Sequence, residues 1–426
     1  MSSFLTCLRQ VGCIGVLTAS SIGIAHAAAA PLELREAIQA ALAHNPDLTN
    51  FQFELRAHDA QRQQADLRPA PELGFALENF GGSGEVKALH GSEATLSLSQ
   101  VIELGGKRKA RLAVTDAGRD HLVIARQAAQ LDVLAEVTRR FIAVAELQER
   151  RELARRAVAL AEETQRSAMQ RVAAARSPHV EQDRAAVALE HARLDARAVD
   201  GRLVAARRTL AAMWGAPDAQ LDDSATEAVH ADLFHLPVVD DFPVLLQRLE
   251  QNPDFLRYAS AERLREAELR LASTTRRADI SLGAGIRRLQ QGGDMALVAS
   301  FSIPLFSGRR ADAFVAEAAA RREAVGADRD AALIKARAQL YALYRELQEA
   351  AATVTSLDTA ILPRMDEVLE ETRYAFERGR YGYLDLVDAQ REYLEMQRER
   401  IAAGTQVQLL VTEIERLTNA PLANPN

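Results

Sequence analysis

The sequence predicts an α+β membrane protein in which long antiparallel helical hairpins are combined with four β-strands, arranged as an internal tandem duplication. Three observations predict it. The second half of the chain repeats the order of landmarks in the first. Two stretches in each half alternate apolar and polar residues. Two longer runs in each half carry helix-forming residues far beyond the needs of a globular domain. The composition agrees: of 426 residues 48% are hydrophobic but only 5% aromatic, with Ala, Leu, Arg and Glu abundant, as in long helices.

The chain opens with one positive charge, Arg9, before an apolar run from Val11 to Ile24 and the small residues Ala25–His26–Ala27. This reads as a secretory signal peptide over residues 1–27. Both cysteines, Cys7 and Cys13, fall inside it and neither follows a lipobox, so the exported chain is expected to hold no disulfide, thiolate metal site or lipid anchor. Beyond this segment no apolar run is long enough for a transmembrane helix, and the net charge of −7 does not favour nucleic acid. An exported chain of this kind enters a membrane with strands.

The duplication is read from landmarks that are not helical. Asn45–Pro46–Asp47 recurs as Asn252–Pro253–Asp254, each a helix stop and restart: Asn as N-cap, Pro in the first turn, Asp at the positive end of the helix dipole. The "ELGGKRKAR" after the first strand pair is matched by "PLFSGRRADA" after the second. "LAAMWGAP", ending at Pro217, is matched by "IERLTNAP", ending at Pro421. The expected organisation is a first repeat over 28–217, a connector over 218–241, a second repeat over 242–421 and a tail over 422–426.

Each repeat reads helix, β-hairpin, long helical hairpin. The hairpins are expected at about 71–102 and 279–305, with Leu73, Phe75 and Leu77, or Ile280, Leu282, Ala284 and Ile286, on one face. Each strand has the length that crosses a bilayer at a tilt. The long helical hairpins are expected over 107–214 and 309–418. From Lys107 to Arg176 there is no proline, which gives a rod on the order of 100 Å. Leu134, Val137, Phe141 and Val144 step as a coiled-coil seam. The chain turns at "RSPHV" and returns to Trp214. The second half repeats this from Arg310 to Arg378, turns at "GRYGY" and returns to Leu417, with Val387, Leu394 and Ile401 at heptad spacing. Four strands are too few to close a membrane barrel, and an open sheet leaves edge amides unsatisfied in lipid. Strands of several copies are therefore expected to close one barrel, with the rods continuing it as a tube.

With those elements placed, the sequence resembles the outer-membrane efflux proteins, the TolC-like outer-membrane factors, from about Leu32 to Pro421. The resemblance implies a homotrimer with a twelve-stranded barrel in the outer membrane of a Gram-negative bacterium and a helical tunnel in the periplasm. It implies a periplasmic adaptor protein as partner and, indirectly, a proton-driven RND-type inner-membrane pump. "SLSQVIELGGKRKAR" is similar to the branch serving heavy-metal cation efflux pumps; drug efflux and type I secretion are the alternative cargoes. "YGYLDLVDAQ" resembles the gate segment, so Asp385 and Asp388 are implied as the tunnel gate and cation-selecting pair. Spacing i,i+3 puts both on one helix face, and three copies bring six carboxylates around one axis, which selects cations and raises some of their pKa values by repulsion. A helix-capping role for the same pair is the local alternative. Ser177, Pro178, Arg378, Gly379, Arg380 and Tyr381 are implied as adaptor-contacting tips, with ordinary solvated turns as the alternative. Gly105, Gly106 and Gly308 are expected at the strand-to-helix junctions. The nine histidines show no ligand spacing, and no nucleophile elbow, phosphate loop or hydrolytic acid pair occurs, so neither enzyme, metal site nor cofactor is expected. A soluble periplasmic coiled-coil scaffold is the competing class.

Overall fold

The computed structural model describes residues 31–215, 228–236, 238 and 240–419. The expected signal peptide, half of the connector and the C-terminal tail lie outside the described residues. The first repeat runs α1 (Leu34–His44), α2 (Pro46–Asp66), β1 (Glu72–Glu78), β2 (Glu93–Ile102), α3 (Lys107–Ala173) and α4 (His179–Ala211). The second runs α5 (Phe242–Leu249), α6 (Pro253–Thr274), β3 (Ile280–Leu289), β4 (Met295–Ser302), α7 (Ser307–Ser356), a π-helical segment (Leu357–Ile361), α8 (Leu362–Glu377) and α9 (Tyr383–Thr418).

The Asn-Pro-Asp triplets start α2 and α6 as the local chemistry requires. The Asn45 side chain accepts from the amides of Asp47 and Leu48, and Asn252 accepts from Asp254. Each Asn does more than cap its own helix. Asn45 Nδ2 donates to the Met213 carbonyl at 3.0 Å, and Asn252 Nδ2 donates to the carbonyls of Arg416 and Leu417 at 2.7 and 3.0 Å. One buried amide thus satisfies the orphan amides at the start of one helix and the orphan carbonyls at the end of the return rod.

The four strands form one antiparallel sheet in the order β1-β2-β3-β4. The register aligns Phe75, Leu96, Ile286 and Leu297 across it, and Leu73, Leu98, Ala284 and Ala299 in a neighbouring row. This apolar face is bare: Leu297 is 89% exposed, Leu73 74% and Phe75 71%. The opposite face carries Glu72, Ser99, Gly283 and Ser300 in one row and Gly74, Ser97, Gly285 and Val298 in the next. β1 and β4 are both edges, so each presents an unpaired ladder.

The core is strung along the rods. Ala37 and Ala41 of α1, Val133 to Ala145 of α3 and Leu203 and Leu210 of α4 form one cluster, closed by Val229 and Leu233. Leu245 and Leu249 of α5 pack on Leu340, Leu347 and Val354 of α7 and on Val407, Leu410 and Ile414 of α9. The Val137, Phe141 and Val144 seam is buried, and Leu134 is half-buried beside it.

Two expectations need correction. The rod of the second repeat is not continuous from Arg310 to Arg378. Pro363 has no amide hydrogen to offer the carbonyl one turn back, and the chain widens to a π turn in which the Leu362 amide reaches Leu357 O. The heptad Val387, Leu394, Ile401 is displaced at its first two positions, while Ile401 is buried. Leu386 and Tyr393, one residue earlier, are the buried positions, because α9 packs on α8 and α3 together; Val387 and Leu394 are half-buried at the edge of that contact.

Candidate functional site

The far ends of the rods meet in one packed tip. Ala168 of α3, Ala185 of α4, Phe376 of α8 and Tyr383 and Leu386 of α9 form a single buried cluster. Arg171 ties the two hairpins together. Its Nη1 donates to the Phe376 carbonyl at 2.9 Å, its Nε to Ser177 Oγ at 3.0 Å, and its guanidinium lies 4.5 Å from the Phe376 ring centroid. A little higher, Gln390 Nε2 donates to Thr164 Oγ1 at 2.9 Å, joining α9 to α3. Arg171 was not singled out in the sequence; the only local signal is a cation in the last turn before a predicted bend.

At the first bend Pro178 caps α4, Ser177 is half-buried against Arg171, and Ala175 takes a left-handed conformation with φ 56°. At the second, Gly379 has φ 72° and its amide bonds the Phe376 carbonyl at 2.9 Å, while the Arg380 amide returns to Ala375 O at 2.9 Å. Nothing lies within 4 Å of a Cβ placed on Gly379, so the glycine is required by its backbone angle and not by crowding. Arg378 stacks 4.9 Å from the Tyr374 ring centroid, and Arg378, Gly379, Arg380 and Tyr381 are all exposed. The expected tip residues are therefore brought together at one end, on the solvent side.

Asp385 and Asp388 are both exposed in the first two turns of α9. Asp385 Oδ2 accepts from the Gly382 amide at 2.8 Å, which makes it the cap of its own helix. Asp388 pairs with Arg391 at 3.0 Å. Beneath them burial pushes the Tyr383 hydroxyl above its ordinary pKa, with Arg184 opposing and Glu181 adding to the shift. Glu181 occupies in α4 the third position that Asp385 occupies in α9, but its Oε2 is buried without a hydrogen-bond partner.

The junction glycines lie at the opposite end of the rods. Gly105 and Gly106 are both left-handed, with φ 77° and 78°, and a Cβ on Gly105 would sit 3.0 Å from Arg277 Cβ. In the second repeat the turn is made differently. Phe306, with φ 61°, is the left-handed N-cap of α7, and Gly308 lies inside the first helical turn with open space around it. Gly308 is thus near the junction but does not form it. The charged residues of "ELGGKRKAR" build the corner. Lys107 pairs with Asp279 at 2.7 Å, Arg108 with Asp66 at 2.8 Å, and Arg111 with Glu103, while Arg111 Nη2 also donates to Leu67 O at 3.1 Å. Among the described residues no group of three or more His, Cys, Asp or Glu could hold a metal ion, and no helix is long and apolar enough to cross a membrane.

Rods meet in a packed tip at one end and carry a bare apolar sheet at the other, the fold seen in solved outer-membrane channels. Residues 37–216 match the family model described as outer membrane efflux protein. The chain is 26% identical over 395 residues to the cobalt-zinc-cadmium resistance protein CzcC of Cupriavidus metallidurans, covering 92% of this chain and 90% of that one. Its fold is similar to that of the outer-membrane channel OprN, with TM-score 0.74 at 18% identity over 91% of this chain and 90% of that one. It is similar also to the outer membrane protein VceC of Vibrio cholerae, with TM-score 0.70 at 17% identity over 91% and 96%. Over residues 37–216 the chain thus resembles the outer membrane efflux proteins, and over nine-tenths of its length it shares the fold of solved outer-membrane channels.

Proposed function

We propose that three copies of this chain close one barrel and one tunnel, and that this conduit exports heavy-metal cations delivered by a periplasmic adaptor and an RND-type inner-membrane pump. The observation that carries the reading is the open sheet: four strands, two unpaired edges and an apolar outer face become compatible with lipid only when copies join edge to edge. The cargo rests on the likeness to CzcC, a cobalt-zinc-cadmium resistance protein. A deletion strain is expected to lose tolerance to cobalt, zinc or cadmium and to keep its drug tolerance. Normal metal tolerance with raised drug sensitivity would transfer the cargo to drugs.

Asp385 and Asp388 are assigned to the gate, and the tip residues Ser177, Pro178 and Arg378 to Tyr381 to the adaptor. D385N with D388N is the informative gate variant. An Asn at position 385 can still accept from the Gly382 amide, so the cap persists while the charge is lost. Reduced cation preference in planar bilayers is the expected result; an unchanged preference leaves the pair a capping device only.

A further inference from the structure

We propose that Arg287, held between Glu78 and Glu93, forms a second charged constriction at the outer mouth of the barrel and sets its preference for departing cations. This rests on the conduit reading, which makes the face opposite the apolar one the lining of the pore.

The lining changes character along its length. The rows nearer the helices are built mostly from small residues: Glu72, the one charge there, stands beside Ser99, Gly283 and Ser300, and the next row is Gly74, Ser97, Gly285 and Val298. The wall is crowded on this side, since a Cβ on Gly285 would lie 2.6 Å from the Leu96 carbonyl oxygen. One row further from the helices the lining is Ala76, Thr95, Arg287 and Ala296, and the last row pairs Glu78 with Glu93 and Glu93 with Leu289. Apart from Glu72 at the helix end, the long charged side chains Glu78, Glu93 and Arg287 stand together at the level of the hairpin loops, the end remote from the rods.

Arg287 is fixed there. Its Nε donates to Thr95 Oγ1 at 3.0 Å, its Nη1 to Glu93 Oε2 at 2.7 Å and its Nη2 to Glu78 Oε2 at 3.2 Å. Asn79 Nδ2 donates to the second oxygen of Glu93 at 3.1 Å. The guanidinium thus links β1, β2 and β3, and its planar fork makes it a rigid projection from the wall. Two carboxylates face one cation, so each copy brings net negative charge to this level, and Glu78 is 53% exposed. The neighbouring Arg288 falls on the other face, in the row of Ala94 and Met295, and does not cancel it. A ring of such charge at a narrow level favours cations over anions.

The test is block of the purified full-length channel in planar bilayers by spermine, a polycation, added from the loop side. In E93Q the half-blocking concentration is expected to rise about tenfold, and in R287Q, which frees both carboxylates, to fall about threefold. Misfolding cannot produce opposite signs in the two variants. D385N with D388N is expected to leave loop-side block unchanged, because the tip lies at the other end. Equal block in wild type, E93Q and R287Q would overturn the mouth assignment while leaving the conduit intact. Failure of the wild type to form any channel would overturn the conduit reading and this one with it.

Discussion

In the first repeat the outgoing rod, α3, runs 67 residues without interruption; in the second its counterpart is split into α7 of 50 residues, a π segment of five and α8 of 16. The duplicated topology therefore carries one stiff arm and one jointed arm. The joint is not free. Asp358, inside the π segment, pairs with Arg400 of α9, whose guanidinium lies 3.5 Å from the centroid of Phe234. Phe234 belongs to a segment laid flat on α9, where a Cβ on Gly404 would come within 2.9 Å of the Leu233 carbonyl oxygen. The difference teaches that a single proline changes the mechanics of a repeat without changing its packing order, provided that a neighbour clamps the widened turn.

The two Asn caps give the largest expected effect. Asn252→Ala loses a cap and two bonds to the return rod of its own repeat and should cost about 3 kcal/mol; Asn45→Ala loses a cap and one such bond and should cost about 2 kcal/mol. Thermal unfolding in detergent followed by circular dichroism checks the order, and equal losses would mean that the carbonyl bonds contribute little.

The strand-to-helix corners come next. Gly105→Ala meets both a left-handed backbone and the Arg277 side chain, and should destabilise by about 2 kcal/mol. Phe306→Gly should instead stabilise by up to about 1 kcal/mol, since Phe306 is left-handed and 79% exposed. Two changes of the same sign would show that the corners are not equivalent.

At the joint, Asp358→Ala or Arg400→Ala should cost only about 1 kcal/mol, because both side chains are partly solvated. Hydrogen exchange should accelerate about fivefold over 357–377 and stay unchanged over 157–173 of the stiff arm. Uniform acceleration would refute a local joint.

The smallest effect is a pH dependence at His121 of α3, whose Nδ1 lies 2.8 Å from Ser260 Oγ of α6. Burial holds its pKa below the ordinary value, and Arg257 and Arg265 add to the shift. The unfolded chain therefore takes up the proton more readily. The stability from neutral His121 is complete above the unfolded pKa and is lost as pH falls through the lower folded one. Urea titrations between neutral pH and pH 5 should show a decline that H121N removes; an identical decline in H121N would assign it elsewhere.

Much of this architecture is visible in the residues because its signals are local. Period-two alternation at Leu73–Phe75–Leu77 and Asn-Pro-Asp at two places need no knowledge of the partner element. Pro363 was equally visible, yet the helix-rich sequence around it hid the joint. What stayed hidden depends on pairs distant in the chain: Asn252 reaching Arg416 O, Arg171 reaching Phe376 O, and Lys107 reaching Asp279. The Asp385 and Asp388 pair was legible as two carboxylates on one helix face, but its capping bond to Gly382 depends on backbone geometry that spacing alone does not give.

The two bare edges of the sheet have a genetic consequence. If copies join edge to edge as proposed, each must offer a sound β1 to one neighbour and a sound β4 to another, so one faulty copy spoils the whole ring. If edge-defective and normal chains are made in equal amounts and mix at random, about one assembly in eight is intact for a three-membered ring. In that assembly such an allele is expected to be dominant, and the depth of its dominance would count the subunits.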